Sequence, residues 1–212
     1  MKRSISEIIK RLKIEYPDAR CHLVFKSPFE LMISTILAAQ CTDDRINLVM
    51  IPLYKNKYHN CEDILKDGKE NFRNNVKSIN FFNNKTNAIF KICEDIIKKY
   101  NGKIPDSIDD LTELKGIGRK SANVILGNCF NKKDVIIVDT HFKRVTARLG
   151  LTENDDPQKI EMDLKIIIHP DEQFKFSLLI GEHGRQICKA KSPKCGECIL
   201  NGLCPSFKIY QN

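Results

Sequence analysis

The chain has 212 residues, nine of them cysteines, and a formal net charge of +8. This length buries enough apolar surface for folding without disulfides, and no apolar run approaches the ~20 residues that a membrane-spanning helix needs. No secretory signal segment follows Met1, so we expect a soluble, intracellular protein. The positive charge favours a polyanionic partner only modestly, because a lysine-rich composition also accompanies an AT-rich genome.

Apolar residues recur at helical spacing from end to end of the sequence, which predicts an all-α fold. We predict helices at 5–12, 28–39, 43–53, 61–67, 69–79, 84–100, 106–113, 119–129, 140–149, 157–168 and 172–187. Between two of them, residues 135–138 form a short apolar run. Because no second strand-like run is present to pair with it, buried extended chain is the better interpretation.

Several helix ends have recognisable signals. Ser27 and Glu30 have the spacing of a capping box, and Gly102 and Gly150 are placed to end helices. Pro52 lies inside the third helix, where it removes one backbone donor and predicts a kink.

The segment 111–127 carries two glycines between two helical stripes. Gly116 and Gly118 permit a tight turn that a ligand can approach, and the unpaired N–H groups of the next helix face the same place. This arrangement suits an anion such as a DNA phosphate. The glycines alone fit an ordinary helix–helix turn better than a phosphate site.

Lys120 lies in the first turn of that second helix, where the helix dipole disfavours a cation. The position therefore suits a lysine that acts as a neutral nucleophile, although a solvated lysine is the commoner reason for any one lysine. Asp139 joins the apolar run to the next helix and reads as its N-cap. A capping carboxylate is held in place, so it can also stabilise a nearby cation or take a proton. His141 could line a pocket or be structural.

Four cysteines, Cys188, Cys195, Cys198 and Cys204, crowd into the last 25 residues, whereas the others are scattered among apolar neighbours. Four clustered cysteines in a chain whose other cysteines are scattered indicate a metal site, not a disulfide framework. From the residues alone, zinc is the commoner occupant of a four-cysteine site. The spacing C-x6-C-x2-C-x5-C matches neither common zinc motifs nor the usual ferredoxin patterns.

Three motifs together resemble the helix–hairpin–helix DNA glycosylases of the endonuclease III family. They are LKGIGRKSANVIL at 114–126, VDTHFKRVTARLGL at 138–151 and the cysteine pattern, and the resemblance extends back to SPFEL and AQCTD near the N-terminus. It implies a helical barrel at 22–132 with the hairpin motif at 106–129. It also implies a second lobe from 1–21 and 133–212, with DNA lying between the two.

The resemblance implies a bifunctional DNA glycosylase and AP lyase that removes oxidised pyrimidines from double-stranded DNA as a monomer. Lys120 then attacks C1′ of the flipped nucleotide and forms a Schiff base, and Asp139 assists as base and counter-charge. Backbone amides at Gly116 and Gly118 hold a phosphate, and Gln40 fills the gap in the duplex.

The four cysteines, by the same resemblance, hold a 4Fe-4S cluster at 188–204. We interpret the neighbouring basic residues, Arg185, Lys191 and Lys194, as a phosphate-facing loop; a solvated charged face is the alternative. An adenine-excising relative typically lacks the hairpin lysine, and a non-catalytic hairpin module needs neither Lys120 nor Asp139.

Two positions depart from the family pattern. Lys115 stands where proline is frequent. Asn80 stands in a loop that in many members reads Ile-Gly-Leu or Ile-Gly-Phe. Phe81 can still wedge into the duplex, whereas Asn80 replaces the glycine of that loop.

Overall fold

The computed structural model describes residues 5–210, and in that range it contains eleven α-helices and no strand. They are α1 Ile5–Glu15, α2 Pro28–Leu37, α3 Asp43–Asn56, α4 Cys61–Asp67, α5 Lys69–Asn75, α6 Phe82–Tyr100, α7 Ile108–Glu113, α8 Arg119–Cys129, α9 Thr140–Arg148, α10 Pro157–Ile167 and α11 Pro170–Gln186. The predicted all-α class is therefore confirmed. None of the described helices is long and apolar enough to cross a membrane.

The chain divides into two compact units, one formed by residues 21–131 and the other by 1–20 together with 132–212. These limits lie one residue from the predicted 22–132. That the two units are separate folding domains stays a prediction.

In the 21–131 unit, α2 is the central helix. Phe29 and every residue from Leu31 to Leu37 are buried, and α2 packs against α3, α6 and α8. The Ser27 hydroxyl accepts the amide of Glu30 at 3.2 Å, and the Glu30 carboxylate accepts the amide of Lys26 at 2.6 Å. The predicted capping box is thus present, but its return bond reaches one residue further back than usual.

In the other unit, α11 packs against both α1 and α9. The α1 face that carries Ile8 and Leu12 is fully buried in the core of this unit, and Phe142 of α9 meets Phe176 of α11 edge to face. Residues 135–138 have no strand, as predicted, and the Ile137 amide donates to the Ser177 hydroxyl at 3.0 Å.

Helix ends account for the main errors of the sequence predictions. The helix predicted at 69–79 ends at Asn75, because the chain turns to reach α6. α6 itself starts two residues earlier than predicted, after Phe81 in a left-handed conformation. At its other end, Asn101 is the first left-handed residue and Gly102 the second. The kink at Pro52 stays a prediction.

Candidate functional site

The glycine turn joins α7 to α8 within the 21–131 unit. Gly116 has φ of +114°, which only glycine adopts without strain. Ile117, between the two glycines, is buried and donates its amide to the carbonyl of Leu114 at 2.9 Å. The turn is therefore fixed by one buried side chain while its backbone stays accessible.

The N-terminus of α8 carries no side-chain cap. Gly118 occupies the N-cap position with extended backbone, and an added Cβ there would meet no atom within 4 Å. No acidic residue lies in the first turn, and Lys120 is exposed. The start of α8 thus faces open space beside a lysine, which is an arrangement suited to bind an anion.

Asp139 belongs to the other unit, where it is the N-cap of α9. Its Oδ1 accepts the amide of Phe142 at 2.7 Å, and the residue is half-buried. The predicted cap is confirmed. His141 lies in the first turn of α9, with its Nδ1 3.2 Å from the Nη2 of Arg144, which gives it a structural contact.

The four clustered cysteines line one cavity in the unit that contains α9 and α11. Among the described residues, no three His, Cys, Asp or Glu side chains are gathered tightly enough to hold one metal ion.

Two of the four sulfurs accept hydrogen bonds from neighbouring groups. Arg148 Nη1 donates to Cys188 Sγ at 3.4 Å, and the Leu200 amide donates to Cys198 Sγ at 3.4 Å. Burial raises the pKa of Cys198 to about 11. Cysteine thiols give up their protons when they bind a metal. These residues fit a four-thiolate iron–sulfur group.

Two arginines of α9 hold the start of the cysteine segment, and the sequence predictions missed both. Arg144 donates to the carbonyls of Cys188 and Gly184 at 2.9 and 2.8 Å. Arg148 donates to the carbonyl of Lys189 at 2.7 Å and lies over the Tyr210 ring. Only the basic end of the α9 motif hints at these roles in the sequence.

The three basic residues predicted near the cysteines are all exposed. Lys191 lies in the loop between the first two cysteines, whereas Lys194 pairs with Glu197 at 3.0 Å. Arg185 lies in the last turn of α11. Their approach to phosphates stays a prediction, and the ion pair makes Lys194 the weaker candidate.

Gln40 and Phe81 lie on two turns of the 21–131 unit, and both side chains are exposed. The structure brings these turns together, because the Asn80 amide donates to the Gln40 carbonyl at 2.9 Å. Lys85 was not predicted as a site residue, yet its Nζ donates to the carbonyls of Leu37 and Ala39, at 2.7 Å each. Its position on the apolar stripe of α6, four residues before Ile89, is the signal that could have revealed it.

Two family models match the chain. One, described as HhH-GPD superfamily base excision DNA repair protein, covers residues 33–170, and the other, the iron-sulfur binding domain of endonuclease III, covers 188–204. Endonuclease III of Synechocystis sp. is 41% identical over 97% of this chain and 93% of that protein.

Two solved structures share the fold at 37% sequence identity and a TM-score of 0.93. One is a non-covalent endonuclease III–DNA complex, covering 100% of this chain and 98% of that one. The other is a trapped endonuclease III–DNA covalent intermediate with an estranged adenine, covering 100% and 99%.

Proposed function

From the premise that the chain belongs to the endonuclease III family of the HhH-GPD superfamily of base excision DNA repair proteins, we propose how its residues carry out that family's chemistry. The protein is a bifunctional DNA glycosylase and AP lyase acting on damaged pyrimidines. The observation that carries the residue assignment is Lys120, exposed in the first turn of an uncapped helix beside the glycine turn.

Lys120 is the nucleophile. Its neutral amine attacks C1′ of a nucleotide flipped out of the duplex, and the bond from C1′ to the base breaks. Opening of the sugar ring leaves a Schiff base between Nζ and C1′. Loss of a proton from C2′ then expels the 3′ phosphate by β-elimination, and water releases the lysine.

Asp139 serves as proton acceptor and counter-charge. Its fixed position as the α9 cap supports this role, because a carboxylate that already accepts the Phe142 amide needs no reorganisation when positive charge develops. One oxygen holds the cap, and the other is available for the reaction.

The backbone at Gly116 and Gly118 binds a DNA phosphate through the amides at the uncapped start of α8. Gln40 and Phe81 enter the duplex where the nucleotide has left, and their exposure at the tips of two turns supports this. The partner is double-stranded DNA with a damaged base or an abasic site.

The chain carries a 4Fe-4S cluster in its iron–sulfur binding domain. We assign Cys188, Cys195, Cys198 and Cys204 as its ligands. When bound, four thiolates complete its coordination, which suits a structural centre. Arg185, Lys191 and Lys194 then form a basic surface that faces phosphates. A monomer in the cytoplasm, associated with the nucleoid in a bacterium, fits this function.

Borohydride trapping tests the central assignment. We expect wild-type protein to form a covalent adduct with abasic duplex DNA when borohydride is present, and Lys120→Ala to form none, because only a Schiff base is fixed by reduction. Lys98→Ala, an exposed lysine of α6, is the matched control and should trap normally. Trapping by Lys120→Ala at the wild-type level would refute the assignment.

A further inference from the structure

Leaving aside glycine and asparagine, two residues of the 21–131 unit hold left-handed backbone conformations, Gln40 with φ of +54° and Phe81 with φ of +57°. Such conformations cost a residue other than glycine or asparagine on the order of 1 kcal/mol each. They persist where surrounding contacts fix them. These are also the two residues that the proposed function places inside the duplex.

The contacts that fix the Gln40 turn come from the segment that contains Phe81. Asn80 Nδ2 donates to the Gln40 carbonyl at 2.9 Å. Lys85, five residues further along, is buried and donates to the carbonyls of Leu37 and Ala39. Burial lowers the pKa of Lys85, which reflects the cost of placing its charge there.

These bonds hold the Gln40 turn and the Phe81 turn in a fixed position relative to each other. Lys85 satisfies carbonyls left open at the end of α2, so it fixes the base of the Gln40 turn. Asn80 reaches the carbonyl of Gln40 itself, at the tip. Beside the tip of the Gln40 turn lies an open recess. It is lined by Gln40, Cys41, Thr42, Arg45, Ser78 and Asn80.

We propose that Asn80 is a positioning residue that ties the Gln40 turn to the Phe81 turn, so that both side chains enter the duplex together. The inference rests on the proposed function and adds to it a determinant of duplex preference. The link acts through the Asn80 side-chain amide, and its effect is expected where a second strand has to be kept apart.

The test compares two substrates, an abasic site in duplex DNA and the same site in a single strand. Single-turnover trapping rates are measured for wild type, Asn80→Ala and the isosteric Asn80→Asp, which cannot donate to a carbonyl. We expect the duplex to single-strand rate ratio to fall roughly 3- to 10-fold in both variants, the range of one net hydrogen bond. Asn74→Ala, an exposed asparagine of α5, is the control and should leave the ratio unchanged.

A double-mutant cycle adds a second readout. If Asn80 acts by positioning Gln40, then Asn80→Ala should cost little in a Gln40→Ala background, so the two effects should not add. Additive losses would overturn the proposal. So would an unchanged ratio, or equal losses on both substrates with a lowered melting temperature, since these indicate no role or a merely structural one.

Failure of the proposed function gives a different result. Affinity for a duplex that contains a tetrahydrofuran abasic analogue needs no chemistry, and we expect Asn80→Ala to weaken it by a similar factor while affinity for single-stranded DNA changes less. Absence of trapping in wild type would refute the lyase assignment, and this binding measurement would still decide the role of Asn80.

Discussion

Two helix N-termini carry the proposed chemistry, and they are built in opposite ways. α8 begins at Gly118 with no side-chain cap and a lysine in its first turn, whereas α9 begins at Asp139, whose carboxylate accepts the Phe142 amide. The N-terminal amides of α8 have no side-chain cap and remain available to a ligand. In α9 the Phe142 amide instead holds the Asp139 side chain in place. An open N-terminus is a binding site, and a capped one is a device for holding a carboxylate still.

The largest effect is expected from removing the charge of Asp139 while keeping its cap. The side-chain oxygen of an asparagine at this position can still accept the Phe142 amide, so Asp139→Asn should change the free energy of unfolding by less than about 1 kcal/mol. Turnover on damaged duplex should fall by roughly 100-fold or more, because the amide neither takes a proton nor offsets positive charge. Single-turnover rates and a melting curve measure the two effects. Near wild-type turnover would mean that Asp139 is only a cap.

A smaller effect is expected from making the α8 terminus resemble that of α9. Gly118 has φ of −87° and open space at its Cβ, so Gly118→Asp fits without strain. The new carboxylate should cap α8 and raise stability by about 0.5 kcal/mol, while it competes with a phosphate and lowers duplex affinity roughly 10-fold. Fluorescence anisotropy measures the affinity, and Gly118→Ala, which adds no acceptor, is the control. Unchanged affinity in Gly118→Asp would place the phosphate elsewhere.

The smallest effect is expected at an ordinary cap. Asp156 accepts the amides of Gln158 and Lys159 at 3.0 Å each and begins α10. Asp156→Ala should lower the free energy of unfolding by about 1 kcal/mol and leave turnover as in wild type. Urea denaturation and the trapping rate are the two measurements. A large loss of turnover here would remove the contrast between a structural cap and Asp139.

Features of the fold set by neighbouring residues could be predicted from the sequence. The sequence located the eleven α-helices that the structure describes but not its three short 3-10 helices. The caps at Ser27 and Asp139 follow from side chains within three residues of the amides they accept. The end of α5 could not be predicted, because the chain leaves the helix to meet α6 and not at a glycine or proline. That outcome depends on packing.

In the candidate site, too, features set by neighbouring residues could be predicted from the sequence, and contacts between distant residues could not. The glycine turn and the four cysteines are contiguous in the sequence and could be predicted, although their proposed roles stay predictions. The bond from Asn80 to Gln40 joins residues 40 positions apart, and the bond from Arg148 to Cys188 also spans 40. Distant pairs of this kind leave no local pattern, so only the fold reveals them.

The unit that holds α1 and the cysteine segment is discontinuous in the chain, and this has a consequence during synthesis. Residues 21–131 form one continuous stretch, so this unit can collapse as soon as the stretch has left the ribosome. Ile8 and Leu12 of α1 instead pack in a core that includes Phe176 and Leu200. α1 is thus translated well before the elements it packs against, so its apolar face cannot be buried in this core until α11 and the cysteine segment have been made.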